Sequence, residues 1–201
     1  MNTKFLKYFF GIIILISIKS SLCKAQYPHY FSYNNENGLP SNEVYSIIQD
    51  NKGFIWLGCD AGLYKFDGVR YTAYKCKTQN SKSINDLTVS SSNKIYCHNF
   101  SGQLFCMEND TLKELKHPIP VPKTKISALA TDTKGNIYVS HWGGIAVYNE
   151  QTKKWKELFQ YNLDSLYNSK KYAVHINKGS KHDTIIAFYL KGIGNVENNR
   201  I

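Results

Sequence analysis

Between residues 43 and 75 the chain alternates short aromatic or β-branched runs with clusters of glycine, asparagine and aspartate. "EVYSIIQD" leads into the turn Asp50-Asn51-Lys52-Gly53, and "FIWLG" into the tight turn Asp60-Ala61-Gly62. "LYKF", the dipeptide Asp67-Gly68 and "VRYTAYK" follow. Gly53 supplies the positive φ that closes such a turn. Asp-Gly between two apolar runs is a hairpin signal. Four runs so spaced predict a four-stranded antiparallel sheet. The unbroken run Phe54-Ile55-Trp56-Leu57 predicts a sheet covered on both faces.

The pattern recurs. "DNKGFIWLGCDAGLYKF" (Asp50 to Phe66) lies without a gap over "DTKGNIYVSHWGGIAVY" (Asp132 to Tyr148), and this pairs Asp50 with Asp132, Gly53 with Gly135 and Trp56 with Tyr138. Midway sits a worn copy, "SSNKIYCHNFSGQLFCM" (Ser91 to Met107), and "TIIAFYLKGIGNV" (Thr184 to Val196) is a looser fourth. The period is about 41 residues. A repeat of that length with four strands predicts an all-β propeller. About four blades are expected, near 38–75, 83–115, 125–158 and 165–201. They form either an open arc of a larger ring or, as the alternative, a closed four-bladed ring. Tyr30 and Tyr33 share the spacing of Tyr71 and Tyr74, so residues 27–34 read as an outer strand that completes the last blade and covers its edge.

Residues 1–25 precede the repeats. Lys4 and Lys7 form a basic start before an uncharged run, Tyr8 to Ile18, and Cys23-Lys24-Ala25 offers small residues for cleavage. The run is shorter than the roughly 20 apolar residues a bilayer span needs, so a removed signal peptide is expected. The chain is then exported to the periplasm. Four lysines of the formal charge of +10 belong to the leader, and the remaining excess is spread over polar loops, with no basic stripe of the kind that binds nucleic acid. Four cysteines follow the leader (Cys59, Cys76, Cys97 and Cys106), too few for a disulfide-built scaffold.

The stretch "NGLPSNEVYSIIQDNKGFIWLGCDAGLYKFDG" (Asn37 to Gly68) resembles the opening blade of the two-component regulator propeller family. It carries the GL-S-N-V start, the D-x-x-G turn, the I-W-x-G strand and the G-L-x-x-[FY]-[DN]-G close. The resemblance implies the periplasmic sensing region of a bacterial membrane histidine kinase, in which a membrane helix and a kinase lie downstream. It also implies ligand binding without catalysis in this segment, no cofactor, and membrane attachment and self-association only through the full-length protein. The ligand is unidentified, with oligosaccharide as one class it could be. Two other readings stand beside this one, an exported propeller lyase or glycosidase acting on polysaccharide and a secreted scaffold for protein contacts.

Chemistry-bearing patterns are sparse in the sequence. His98 and His141 sit two positions out of register between repeats, and no H-x-H, C-x-x-C or H-E-x-x-H spacing is present, so no metal site is expected. No serine stands in G-x-S-x-G. Asp50 and Asp132 read as turn residues, and no catalytic or cofactor-binding residue is assigned. Gapless alignment places Cys97 and Cys106 opposite each other, like Trp56 and Lys65, which makes them a candidate disulfide or two buried thiols. Trp56 and Trp155 read as core, while Trp142 replaces the turn residue Asp60 and is the candidate exposed aromatic of a ligand face.

Overall fold

The computed structural model describes residues 9, 29–119, 126–141, 144–160, 173–178, 185–189 and 192–196, with side chains as far as residue 158. The expected signal peptide and Trp142 lie outside this set, apart from residue 9. Residues 1–32 and 33–201 form separate units.

The larger unit is a succession of antiparallel sheets. The first blade pairs β1 (Val44–Gln49), β2 (Ile55–Cys59), β3 (Gly62–Phe66) and β4 (Tyr71–Tyr74) in that order. The second is β5 (Ile84–Val89), β6 (Ile95–Asn99), β7 (Leu104–Glu108) and β8 (Thr111–Glu114). The third is β9 (Ile126–Thr131), β10 (Asn136–His141), β11 (Gly144–Asn149) and β12 (Lys154–Gln160). A three-stranded sheet follows, β13 (Ala173–Lys178), β14 (Ile185–Tyr189) and β15 (Gly192–Val196). First strands meet first strands: β1 touches β5, β5 touches β9 and β9 touches β13.

The repeat is carried by equivalent contacts. In blade 1 the Asp50 carboxylate accepts the Lys52 and Phe54 amides, at 2.9 and 3.1 Å, and the Trp56 indole N–H at 2.9 Å. In blade 3 Asp132 accepts the Lys134 and Asn136 amides, at 2.9 and 2.8 Å, and the Tyr138 hydroxyl at 3.2 Å. Trp56 and Tyr138 therefore occupy one structural position. One carboxylate both closes the β-turn and anchors the next strand.

Two apolar seams hold the first three blades together. The blade 1–2 seam packs Trp56 and Leu63 against Ile84, Leu87, Ile95, Cys97 and Phe105. The blade 2–3 seam packs Tyr96, Leu104 and Cys106 against Leu129, Ile137, Val139 and Tyr148. Side chains alternate across each sheet, so β6 sends Ile95 and Cys97 into one seam and Tyr96 into the other. Burying one such side chain contributes about 1.5–3 kcal/mol. Gly58 is required by a close approach, since a Cβ there would lie 2.8 Å from the Ile84 carbonyl oxygen.

The expected outer strand at 27–34 is absent from the described part of that stretch. Residues 29–34 carry no strand, and 27–28 lie outside the described residues. Asn34 instead caps a 3-10 turn, Asn35–Asn37, by accepting the Glu36 and Asn37 amides, and Gly38 at φ 98° turns the chain toward β1. Tyr33 packs edge-on against Phe66 with centroids 5.6 Å apart. The cap satisfies backbone groups locally that a strand would have paired with a neighbour.

Candidate functional site

The first and second blades enclose a groove of about 680 Å³ on the side of their first turns. Asp50, Lys52, Phe54, Trp56 and Lys65 line it from blade 1, and Asn93, Lys94, Glu108 and Asp110 from blade 2. The turns of the two blades are tied where the Asn51 amide donates to Asn93 Oδ1 at 2.7 Å. Asn93 and Asp110 both have positive φ, which tight turns impose.

Lys65 organises the groove. Its Nζ lies over the rings of Phe54, Trp56 and Tyr74, at 5.2, 5.7 and 5.4 Å from their centroids. Asp110 Oδ1 is 3.7 Å from that Nζ and accepts the Tyr74 hydroxyl at 2.6 Å. Each cation–ring contact contributes on the order of 0.5–1 kcal/mol at partly exposed sites. The Tyr74 hydroxyl raises the Lys65 pKa, and Asp110 adds to that. Lys65 is a fixed cation, not a base.

Two of the groove's acids, Asp110 and Glu108, are held as anions. The Tyr74 hydroxyl bonded to Asp110 keeps its carboxyl below the usual range. Lys113, 3.2 Å away, does the same for Glu108. Neither is a proton donor at neutral pH. The groove thus offers fixed charges, amides and part of an aromatic ring.

A second node joins blades 2 and 3. Blade 2 has Ser90 where its neighbours have Asp50 and Asp132, and Ser90 Oγ accepts the Lys94 amide at 3.2 Å as those carboxylates accept Phe54 and Asn136. The missing carboxylate comes from blade 3. Glu150 accepts the hydroxyls of Ser90 at 3.0 Å, Ser92 at 2.8 Å and Tyr96 at 3.0 Å, and Lys94 lies 3.9 Å away. The Glu150 side chain is only 6% exposed. Nothing in the local sequence announces this residue, because its partners lie more than fifty positions upstream.

The expected opposition of Cys97 and Cys106 is corrected. Cys97 pairs with Phe105, and Cys106 with Tyr96. The β6–β7 turn holds Phe100, Ser101 and Gly102, one residue more than the Asp60-Ala61 turn, and this slips the register by one. Adjacent positions face opposite sides, so Cys97 enters the first seam and Cys106 the second. Both are free thiols, and burial pushes Cys106 up to about 11 and Cys97 higher still. The same slip makes Tyr96, not Cys97, the counterpart of Trp56. His98 and His141 are both buried, and no three His, Cys, Asp or Glu side chains cluster as metal donors among the described residues.

Residues 38–61 match the family model described as two component regulator propeller. Over 74 residues the chain is 35% identical to Histidine kinase P4 of Formosa agariphila, covering 36% of this chain and 5% of that protein. The fold is similar to an extracellular domain assigned to a hybrid two-component system of B. thetaiotaomicron, with TM-score 0.63 and 22% identity over 86% of this chain and 24% of that one. A second such domain from B. thetaiotaomicron gives TM-score 0.66 and 20% identity over 88% of this chain and 23% of that one. Virginiamycin B lyase from Staphylococcus aureus gives 0.62 and 14% identity over 79% of this chain and 53% of that one. These structural likenesses establish the propeller fold. The chain spans about a quarter of the two-component domains and a twentieth of the kinase. No helix of the described residues is long and apolar enough to cross a membrane.

Proposed function

We propose that this chain, whose first repeat is a two-component regulator propeller repeat, is the ligand-recognising propeller region of an exported sensor and is not itself catalytic. One observation carries the reading: the matched stretch 38–61 supplies Asp50, Lys52, Phe54 and Trp56, and these line the groove between blades 1 and 2. The ionised acids, the boxed Lys65 and the exposed amides suit a polyhydroxylated ligand such as an oligosaccharide, bound through many hydrogen bonds and one ring edge. The likeness to extracellular domains of two-component systems supports a location outside the cytoplasm and a role in signalling through the full-length protein.

A lyase or glycosidase reading gains support from the fold of virginiamycin B lyase alone. Its glycosidase form needs a carboxylic acid as proton donor, a role that the depressed pKa values of Glu108 and Asp110 do not suit. The test is calorimetric titration of the purified chain with a panel of neutral and acidic oligosaccharides, followed by chromatography of the recovered sugars. Binding with intact sugars, weakened at least tenfold by Asp110→Ala, is expected. Cleaved products, or binding indifferent to Asp110→Ala and Lys65→Ala, would overturn the proposal.

A further inference from the structure

Histidines collect in one seam. His98 on β6 lies two positions from Tyr96 and shares its side of the sheet, facing blade 3. His141 on β10 shares a side with Ile137 and Val139, facing blade 2. His117 closes the outer end of the same seam, where Nε2 meets the Gly102 carbonyl at 3.0 Å and the ring packs edge-on to Trp155. The blade 1–2 core holds no histidine among the described residues.

His98 is fully buried. Its Nδ1 lies 3.4 Å from the Asn99 carbonyl, and its Nε2 meets no polar partner among the described residues. Few charged groups face it. Across β5 stands Asp86, whose carboxylate already accepts the Ser46 hydroxyl at 3.4 Å and the Leu87 and Leu129 amides at 2.9 and 2.8 Å. Across β7 stands Leu104, and β9 has no ionisable side chain. His141 on β10 lies on the same side of its sheet as Ile137 and Val139 of this seam, its Nε2 3.3 Å from Glu157. Cys97 points into the other seam.

We propose that the blade 2–3 seam is an acid-released joint, in which protonation of buried His98 separates blade 3 from blade 2 while the blade 1–2 seam stays closed. An imidazolium there would sit in an apolar wall with one N–H unpaired, and the Asp86 carboxylate that opposes it also stitches the first strands of three blades. Exposure to water relieves both costs, so acid favours the open seam. Burial holds the His98 pKa below its ordinary value, against the pull of Asp86 and the Asn99 carbonyl. With the folded pKa depressed, stability is complete above the ordinary value near 6.5 and is lost as pH falls through it toward the folded pKa. This device does not depend on the identity of any ligand.

The experiment is urea unfolding of the purified chain at pH 7.5 and 5.0, for wild type and His98→Gln. The wild-type unfolding constant should rise several-fold more than that of the variant over this interval. Hydrogen exchange of the wild type, corrected for intrinsic rates, supplies a second measurement should the variant fail to fold. At pH 5.0 protection should fall in β9 and β10 and hold in β1 and β2. Equal acid sensitivity of wild type and His98→Gln, or equal loss of protection in both seams, would overturn the proposal.

Discussion

The two seams that flank blade 2 differ in kind. The first has a tight apolar core, its polar ties (Asn51 to Asn93, Tyr74 to Asp110) standing at the exposed rim, and Gly58 lets the first strand of blade 2 approach to 2.8 Å of where a Cβ would stand. At the corresponding position blade 2 has His98 and blade 3 has Ser140. The second seam also has an apolar middle, but its polar groups are buried, with Glu150 reaching across at one end and His98 and His141 within. Identical sheets can thus be joined by different chemistry, provided each turn carboxylate is replaced when it is lost.

The difference can be broken from either side. Phe105→Ala empties the centre of the first seam and should cost about 3–5 kcal/mol by urea denaturation. Glu150→Ala strips three hydroxyls and a lysine of their shared acceptor and should cost about 2–4 kcal/mol, little changed by salt because the site is buried. Gly58→Ala drives a methyl into a backbone carbonyl that cannot swing aside, and about 1–3 kcal/mol is expected, with hydrogen exchange faster in β2 and β5 than in β10. Trp56→Phe and Tyr138→Phe each remove one donor to a turn aspartate. Losses of about 1 kcal/mol, similar in the two variants, would sharpen the equivalence of blades 1 and 3.

Much of the architecture was legible because tight turns leave strong local marks. Asp50, Gly53, Asp132 and Gly135 announced the repeats, and Trp56 and Tyr138 take equivalent places. What escaped was non-local or smaller than the period. One added residue at Phe100–Gly102 is invisible to a gapless alignment, yet it moved Cys97 and Cys106 to opposite faces. Glu150 resembles any exposed turn acid until its distant partners are known. Tyr33 shares the spacing of an outer strand, but the Asn34 cap competes for the same backbone. The groove was half visible: its blade 1 residues lie in the recognised motif, while Asp110 closes it from a turn that pattern alone leaves plain.

The replacement of a lost turn carboxylate by Glu150 is the claim on which the account of blade 2 rests, and a double-mutant cycle tests it. Ser90→Asp alone sets two carboxylates together and should destabilise the chain. In the Glu150→Ala background the same Ser90→Asp should restore most of the lost stability, a reversal of sign measured by urea denaturation. If Ser90→Asp is as harmful without Glu150 as with it, Glu150 is not standing in for the missing aspartate.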